Sequence, residues 1–341
     1  MDNTKFALGP GSRILVTGAN GYIASHVVDQ LLALGFLVRG TIRTPKPWLD
    51  AYFEDRYKKG MFESAIVPSF EDIHAINRIL DGVDGVVHLA SDLTFGTDPE
   101  AVIPWVIQAT LNILEAAAKR PSIKRMVLVS SSSATYMLDP RPNGRTIHAD
   151  TWNEEAVRLA WDENMPPEKK GVAVYAASKT EGERQSWKWV KENNPPFAFN
   201  TVLPSFNVGR ILHPEIFGST MGWTRKLLEG NPAAFSKFPE QWFVDVEDVA
   251  RLCVISLLDV NVKSERIFGF AEQVNWTDVV RMLRQLRPTN KDIPDPPKNE
   301  KRDKTHVIPR DRAEKLLQTF YGQPAWTPIQ DSLEKGIDGM S

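Results

Sequence analysis

The 341-residue chain contains a single cysteine, Cys253, and so has no internal disulfide available to it. That suits a reducing compartment, and the apolar stretch around it, Val249 to Leu258, makes a buried small hydrophobe the simplest role for the thiol. Net charge is nearly absent as well: 41 Lys and Arg against 43 Asp and Glu leave a formal charge of -2, with the two signs interspersed. A nucleic acid or other polyanion would find no broad positive field, so any anion must be gripped locally. No run of 18 uninterrupted apolar residues occurs, and Met1 to Ser12 lacks an apolar stretch behind a basic one. Neither a membrane span nor a targeting segment is therefore expected, and the cytoplasm is the expected location. Cys/His groupings, an H-E-x-x-H helix and paired carboxylates at ligand spacing are also missing, which leaves metal catalysis without support. His88, His148 and His306 are scattered, and no internal repeat is visible.

What is present is an apolar share of 42%, close to the globular average, which predicts a compact fold. Short branched runs at Arg13 to Thr17, Phe36 to Ile42, Phe62 to Val67, Gly85 to Ala90, Met126 to Ser130 and Phe199 to Leu203 read as strands. Helical spacing covers Tyr22 to Leu34, Ala101 to Lys119 and Ala173 to Glu192. This alternation predicts an α/β fold of the doubly wound, Rossmann-like kind, with a parallel sheet that runs past residue 200. A polar insertion, Asp139 to Gly171, interrupts it and is long enough to build part of a site. From Phe206 the composition turns to Gly, Pro and aromatics, followed by helices at Val246 to Leu258 and Trp276 to Leu286 and a short strand near Arg266 to Gly269. Pro294 to Lys304 reads as a surface linker before two last helices, Arg312 to Phe320 and Ile329 to Ile337. The expected division is a cofactor domain over 1–205 and a smaller, mainly C-terminal substrate lobe over 206–341, with 240–265 returning to the first.

Directly after the first strand stands Thr17-Gly18-Ala19-Asn20-Gly21-Tyr22-Ile23-Ala24. Gly18 permits a sharp turn, Gly21 lets a phosphate approach without a Cβ, and Ala24 allows helix and strand to close, so that amides at the helix start can meet an anion. The spacing Gly18-x-x-Gly21-x-x-Ala24 resembles the extended short-chain dehydrogenase/reductase family. Within it, Val38-Arg39-Gly40-Thr41-Ile42-Arg43 and Val174-Tyr175-Ala176-Ala177-Ser178-Lys179-Thr180-Glu181 resemble the dihydroflavonol reductase-like branch and the NADPH-dependent aldehyde and ketone reductases of yeasts and fungi. The resemblance spans nearly the whole chain.

It implies a bound dinucleotide, with Gly18, Asn20, Gly21, Tyr22 and Ile23 at the pyrophosphate, Leu89, Ala90 and Ser91 beneath the cofactor, and Leu203, Pro204 and Ser205 beside the nicotinamide. Where an NAD enzyme would carry an acid on the ribose, this chain has Arg43, with Arg39 and Lys46 as lesser candidates; a guanidinium can pair with a 2′-phosphate, so NADP(H) is favoured. Pro68-Ser69 departs from the aspartate that relatives use near the adenine. His88 is expected to pack rather than react.

Tyr175 and Lys179, four apart, share a helix face. In the family they act as a unit, because a phenol with an ordinary pKa near 10 carries protons poorly until an ammonium stabilises its phenolate. The resemblance makes Tyr175 the proton donor, Lys179 its partner and the holder of the nicotinamide ribose, and Ser131 the carbonyl binder. Ser130, Ser132 and Ser133 compete for that last role, with strand alternation favouring Ser131 or Ser133. Substrate contacts are expected from Thr94, Phe95, Thr135, Phe206, Trp223, Gln241 and Trp242, an apolar and aromatic set without the Arg and Lys that a nucleotide-sugar diphosphate demands. The expected activity is NADPH-dependent reduction of a hydrophobic, aromatic or polyketide-derived aldehyde or ketone by a monomer or homodimer. The alternatives are a nucleotide-sugar epimerase or dehydratase and a non-catalytic NADP(H)-sensing interaction protein.

Overall fold

The computed structural model describes residues 6–138 and 144–340. In chain order the elements begin with β1 (Arg13–Val16), α1 (Tyr22–Ala33), β2 (Leu37–Ile42), α2 (Pro47–Arg56), β3 (Phe62–Ile66), α3 (Ile73–Ile79), β4 (Gly85–His88), α4 (Pro99–Ala118) and β5 (Arg125–Val129). After β6 (Thr146–Ile147) and α5 (Glu154–Ala160) come α6 (Pro167–Asn193), β7 (Ala198–Pro204), β8 (Phe206–Val208), α7 (Ser219–Arg225) and α8 (Ala233–Lys237). The chain ends with β9 (Gln241–Asp245), α9 (Val246–Leu258), β10 (Arg266–Gly269), β11 (Glu272–Val274), α10 (Trp276–Leu286), β12 (His306–Val307), α11 (Arg310–Tyr321) and α12 (Ile329–Gly336).

Seven parallel strands form the central sheet in the order β10-β7-β5-β4-β1-β2-β3. This is the doubly wound Rossmann-like arrangement that the alternating pattern predicts. The order reverses between β1 and β4, and a crevice opens there at the C-terminal strand ends, where ligands of such sheets bind. Apolar residues on α1 and α9 cover one face in one core, while α3, α4 and the far end of α6 cover the other in a second. The helix α4 is long and apolar enough to cross a membrane, but half of that stretch is buried, packed on α3 and α6. Its Asn112 amide donates to Phe70 O at 2.9 Å, which ties the helix to the loop after β3. Cys253 is fully buried in α9, and burial pushes its thiol up.

Late segments return to the sheet. Arg125, at the start of β5, donates to Leu257 O at 2.9 Å, to Val262 O at 2.8 Å and also to Asp259 O, so a buried guanidinium satisfies the carbonyls left over at the end of α9. The strand β10 closes the sheet's edge. Two features, the start of α6 and the segment 294–304, differ from the sequence expectation. The helix α6 begins at Pro167 rather than Ala173, so Tyr175 lies in its third turn and not at its start. The first residues of the expected insertion, 139–143, lie outside the described residues, and the remainder holds β6 and α5. The segment 294–304 is more than a surface linker: Asp303 is buried and accepts from Tyr136 Oη at 3.1 Å, because β12 beside it pairs with β6.

One hydroxyl registers the crevice. Thr17 Oγ1 accepts the amides of Leu89 and Ala90, both at 2.9 Å, and its own proton goes to His88 Nδ1 at 2.9 Å. Burial, with Lys179 nearby, drives the His88 pKa down to about 3, so the ring is neutral and serves as an acceptor. Beneath the glycine turn, Gly40 is dictated by packing. A Cβ there would lie 2.6 Å from Ala19 Cβ and 2.8 Å from the Phe62 ring.

Two consequences are testable. Gly40→Ala should destabilise the fold by about 1–3 kcal/mol through overpacking, visible as a lower thermal midpoint, whereas Gly9→Ala, whose methyl meets open space, should leave it unchanged; equal midpoints for the two would refute the packing argument. Unfolded His88 takes up a proton near pH 6.5, which the folded chain resists until about pH 3. Stability should therefore fall as pH drops through that interval. His88→Gln should flatten this part of the pH–midpoint curve, with buried His26, also held down by burial, supplying the remainder; an unaltered slope would count against His88.

Candidate active site

Gly18 has φ +68°, and its amide donates to Thr41 Oγ1 at 3.0 Å, while Gly21 N donates to Gly18 O at 2.8 Å. Side chains are excluded from this turn: a Cβ on Gly21 would lie 3.0 Å from Gly18 O. Gly21 is also the N-cap of α1 and offers no capping side chain. The first-turn amides of a helix lack intrahelical acceptors, so those of Tyr22, Ile23 and Ala24 are left to an incoming anion. A dinucleotide pyrophosphate fits this cradle. Of Tyr22 the backbone alone is available, since its buried phenol donates to Gly209 O at 2.8 Å.

The basic residues after β2 separate cleanly. Arg39 is committed to Glu63 at 2.8 Å and to the carbonyls of Ile79 and Asp81. Arg43 is exposed past the strand end, and the one contact seen for it among the described residues is a long one, 3.5 Å to Ser91 O. Lys46 is the N-cap of α2. Arg39 is thus spent, whereas Arg43 is free to meet a phosphate, as is Lys46, whose side chain makes no cap hydrogen bond. The amides of Leu89 and Ala90 belong to Thr17, whereas Ser91 Oγ is buried without a partner. Ser205 Oγ donates to Gly269 O at 2.9 Å, which fixes the end of β7 to β10. Asn20 lies half-buried in the turn, and Leu203 and Pro204 end β7.

Across the crevice, Ser131 stands close enough to the Tyr175 phenol to pull its pKa down. Ser131 is buried and Tyr175 half-buried, and Ser131 Oγ accepts from Ser133 N at 3.2 Å. Among the competing serines, Ser131 is the one whose side chain acts on the Tyr175 phenol, and Ser130 is the one whose hydroxyl is spent elsewhere. Ser130 donates to Glu183, the carbonyl of Ser132 accepts from Thr135, and that of Ser133 accepts from Asn153. Lys179, one turn after Tyr175, donates to Val129 O at 3.1 Å; burial lowers its pKa to about 8, against the opposing pull of Glu183. The phenol departs from the sequence argument. Burial raises the Tyr175 pKa above its ordinary value, and the nearby Ser131 only partly offsets this. The reason is the apolar cover: the Phe95 ring lies 4.8 Å from the Tyr175 ring.

The Phe95 loop is docked under strain. Phe95 has φ +54°, a left-handed value uncommon for an aromatic residue, and its carbonyl occupies space that a Cβ on Gly171 would enter at 2.5 Å. Thr94 braces it by donating to Asp92 at 2.6 Å. The remaining expected substrate contacts are dispersed. The Thr135 hydroxyl is spent on Ser132 O at 2.7 Å. Phe206 packs edge-on against Phe238 and Trp276, and with Gln241 it lines a crevice of about 20 Å³. Alternation along β9 turns Trp242 the other way, its indole donating to Thr305 O at 3.0 Å, so Gln241 and Trp242 do not share a surface. Trp223 packs against Phe217, with the Lys226 and Lys237 ammoniums 4.3 and 4.7 Å from its ring centre.

Glu183 and Arg266 escaped the sequence reading. Glu183 follows Lys179 by four residues, a legible spacing, whereas nothing local marks Arg266, whose partners lie 83 and more residues away.

Three comparisons place these features. A ketoreductase of Aspergillus novofumigatus, nvfG, is 44% identical over 339 residues, covering 99% of each chain. Aldehyde reductase 2 of Sporidiobolus salmonicolor is 37% identical, covering 96% of this chain and 95% of its own. The crystal structure of the yeast methylglyoxal/isovaleraldehyde reductase Gre2 complexed with NADPH shares the fold, with a TM-score of 0.78 at 21% identity over 95% of this chain and 96% of that one. With residues 14–269 also matching the family's own pattern, the chain belongs to the NAD dependent epimerase/dehydratase family.

Proposed function

We propose that the chain reduces a ketone or aldehyde to its alcohol at the expense of NADPH, with Tyr175 as proton donor, Lys179 as the cation beside it and Ser131 as binder of the carbonyl oxygen. The observation that carries this reading is the juxtaposition of Ser131 and Tyr175 at the C-terminal strand ends, with Lys179 one helical turn after the phenol and donating to Val129 O at 3.1 Å. Carbonyl reduction is also what two relatives spanning nearly the whole chain are named for, and NADPH is the coenzyme in the Gre2 complex.

The uncapped start of α1 would hold the pyrophosphate, Arg43 the 2′-phosphate and Lys179 the nicotinamide ribose. When bound, the reduced nicotinamide supplies a hydride. Ser131 Oγ accepts from Ser133 N, which leaves its own proton for the substrate oxygen. That oxygen, accepting from both Ser131 and Tyr175, draws electron density from its carbon and then takes the phenolic proton. Lys179 offsets the charge left on the phenolate. The solvent side of the site is apolar, with Leu93 62% and Phe95 44% exposed, which supports a hydrophobic, aromatic or polyketide-derived substrate.

Tyr175→Phe should cut turnover of an aromatic and aliphatic carbonyl panel by about 10²–10⁴-fold while NADPH still binds; retention of most activity would sink the assignment. Efficiency should be greater with NADPH than with NADH, and Arg43→Ala should shrink that preference by about tenfold or more, the worth of a charge-assisted hydrogen bond. Equal efficiencies with the two coenzymes in the unaltered chain would refute the role of Arg43.

A further inference from the structure

The carbonyl-binding serine opens a short turn whose own carbonyls are all taken. The chain leaves β5 at Ser130, where Oγ donates to Glu183 at 2.8 Å; that carboxylate is buried and meets Arg266 Nε and Nη2 at 2.8 and 3.1 Å. Ser131 is extended, at φ -159° and ψ 154°, and caps a single 3-10 turn over Ser132–Ala134. The Ser131 carbonyl accepts from Ala134 N at 3.0 Å, and that of Ser132 from Thr135 N at 2.9 Å and Thr135 Oγ1 at 2.7 Å. The next two carbonyls go to one residue. Asn153 Nδ2 donates to Ser133 O at 2.7 Å, and Asn153 N to Ala134 O at 3.0 Å. Asn153 is 2% exposed, and its Oδ1 accepts from Ala156 N at 2.9 Å as the N-cap of α5. The segment leading to it is held in turn by Arg266, whose Nη1 donates to Ala149 O and Thr151 O, both at 2.8 Å.

We propose that Asn153 is a positioning residue for Ser131: its side-chain amide holds the Ser133 carbonyl, and with it the turn whose Ser133 N–H orients the Ser131 hydroxyl towards the substrate oxygen. The inference rests on the carbonyl-binding role given above to Ser131. Ser133 N donates to Ser131 Oγ at 3.2 Å, a long bond that a modest rotation of the turn would break. While it is made, Ser131 Oγ accepts on one side and its proton is directed elsewhere; once it is lost, the hydroxyl turns freely. Deprived of Asn153, the carbonyl of buried Ser133 would be an acceptor without a donor among the described residues, and the turn would rearrange to satisfy it. The turn also packs on α6, the helix that bears Tyr175, so a shift there changes the spacing of two groups that must meet one oxygen. Asn153 thus does two separable things with the two ends of one amide: Oδ1 caps α5, and Nδ2 sets the turn.

The test is a double-mutant cycle between Asn153 and Ser131. Turnover is measured on the fastest-reduced member of the carbonyl panel and expressed per NADPH-binding site, counted by nicotinamide fluorescence, so that unfolded chain drops out. Asn153→Ser keeps a cap acceptor for α5 but falls short of Ser133 O, and Asn153→Asp keeps the shape and the cap but puts an acceptor where the donor was. Ser131→Ala should lower turnover by about 10²-fold or more, the worth of one donor to a developing oxyanion. In the unaltered chain each Asn153 variant should lower kcat by about tenfold, with KM for NADPH unchanged. In the Ser131→Ala background the same substitutions should cost less than about twofold, because the group they act through is gone. A merely structural role predicts the same fold loss in both backgrounds. An unchanged kcat in both Asn153 variants, an undiminished loss on top of Ser131→Ala, or the disappearance of NADPH sites from both variants overturns the proposal while leaving the reductase reading intact. Full turnover in Ser131→Ala would overturn the role given to Ser131, and absence of turnover across the panel the reductase reading itself, and either result would take this inference with it.

Discussion

The ion pair between Glu183 and Arg266 is the constraint on which the site's geometry depends. Each charge taken out of water costs several kcal/mol, roughly, and the structure offsets that cost with donors drawn from three neighbouring strands and the two loop carbonyls that accept from Arg266. The aromatic faces of Trp152 and Phe268, 3.9 and 5.4 Å from the guanidinium carbon, supply further attraction. Such a pair is satisfied only when β5, β7, β10, α6 and the insertion before α5 are all in place. It therefore converts correct assembly of distant segments into correct placement of Ser131, Tyr175 and Lys179. The edge strand β10 has its clearest purpose here, because without it Arg266 would not reach α6.

On the other side of the crevice the equivalent task falls to uncharged groups. Thr17 Oγ1 joins the end of β1 to the end of β4 across the reversal of strand order, and the neutral ring of His88 completes its hydrogen bonding. Gly40 lets β2 pass close under Ala19, which presses the glycine turn against the sheet. A phosphate cradle made of backbone amides cannot adjust by rotating side chains, so the positions of the strands below it set its precision. Close approach recurs above the Tyr175 phenol, where Gly171 gives the Phe95 carbonyl the room that a methyl group would take. Glycine on α6 and a left-handed Phe95 are thus two halves of one contact.

Local pattern carried much of this into the sequence. Strand, glycine turn and amphipathic helix announce the first βαβ unit because each step is a property of neighbouring residues, and α9 and α10 match their expected bounds for the same reason. Tyr175 and Lys179 are legible because four residues place two side chains on one helix face. Legibility ends where a role is set by partners far away in sequence. Ser131 could not be told from Ser133 by alternation alone; what separates them is the approach of Ser131 to Tyr175, which comes from a helix more than forty residues away. Arg39 and Arg43 look alike on paper until Glu63 occupies one of them. The substrate set fared differently because a strand was missed: without β9, Gln241 and Trp242 could be placed on the same surface, whereas alternation sends them to opposite faces. The early start of α6 was hidden by Pro166 and Pro167, which read as loop although proline is well suited to a helix's first turn.

The protonation states of the site also bear on the direction of the chemistry. Burial penalises the charged form of every group it touches, and here it acts on an acid and a base that sit side by side. It raises the Tyr175 phenol and lowers the Lys179 ammonium to about 8, so their titrations are driven apart, with the lysine's falling below the phenol's. Near neutrality the phenol keeps its proton and the lysine, supported by Glu183, keeps most of its charge. That pairing has a proton to give and a cation ready to stabilise the phenolate left behind, which is what addition of hydride to a carbonyl requires. Alcohol oxidation needs the converse, a phenolate formed before the hydride leaves, and burial under Phe95 opposes it. The same apolar cover thus holds the phenol in the form that can reduce a carbonyl.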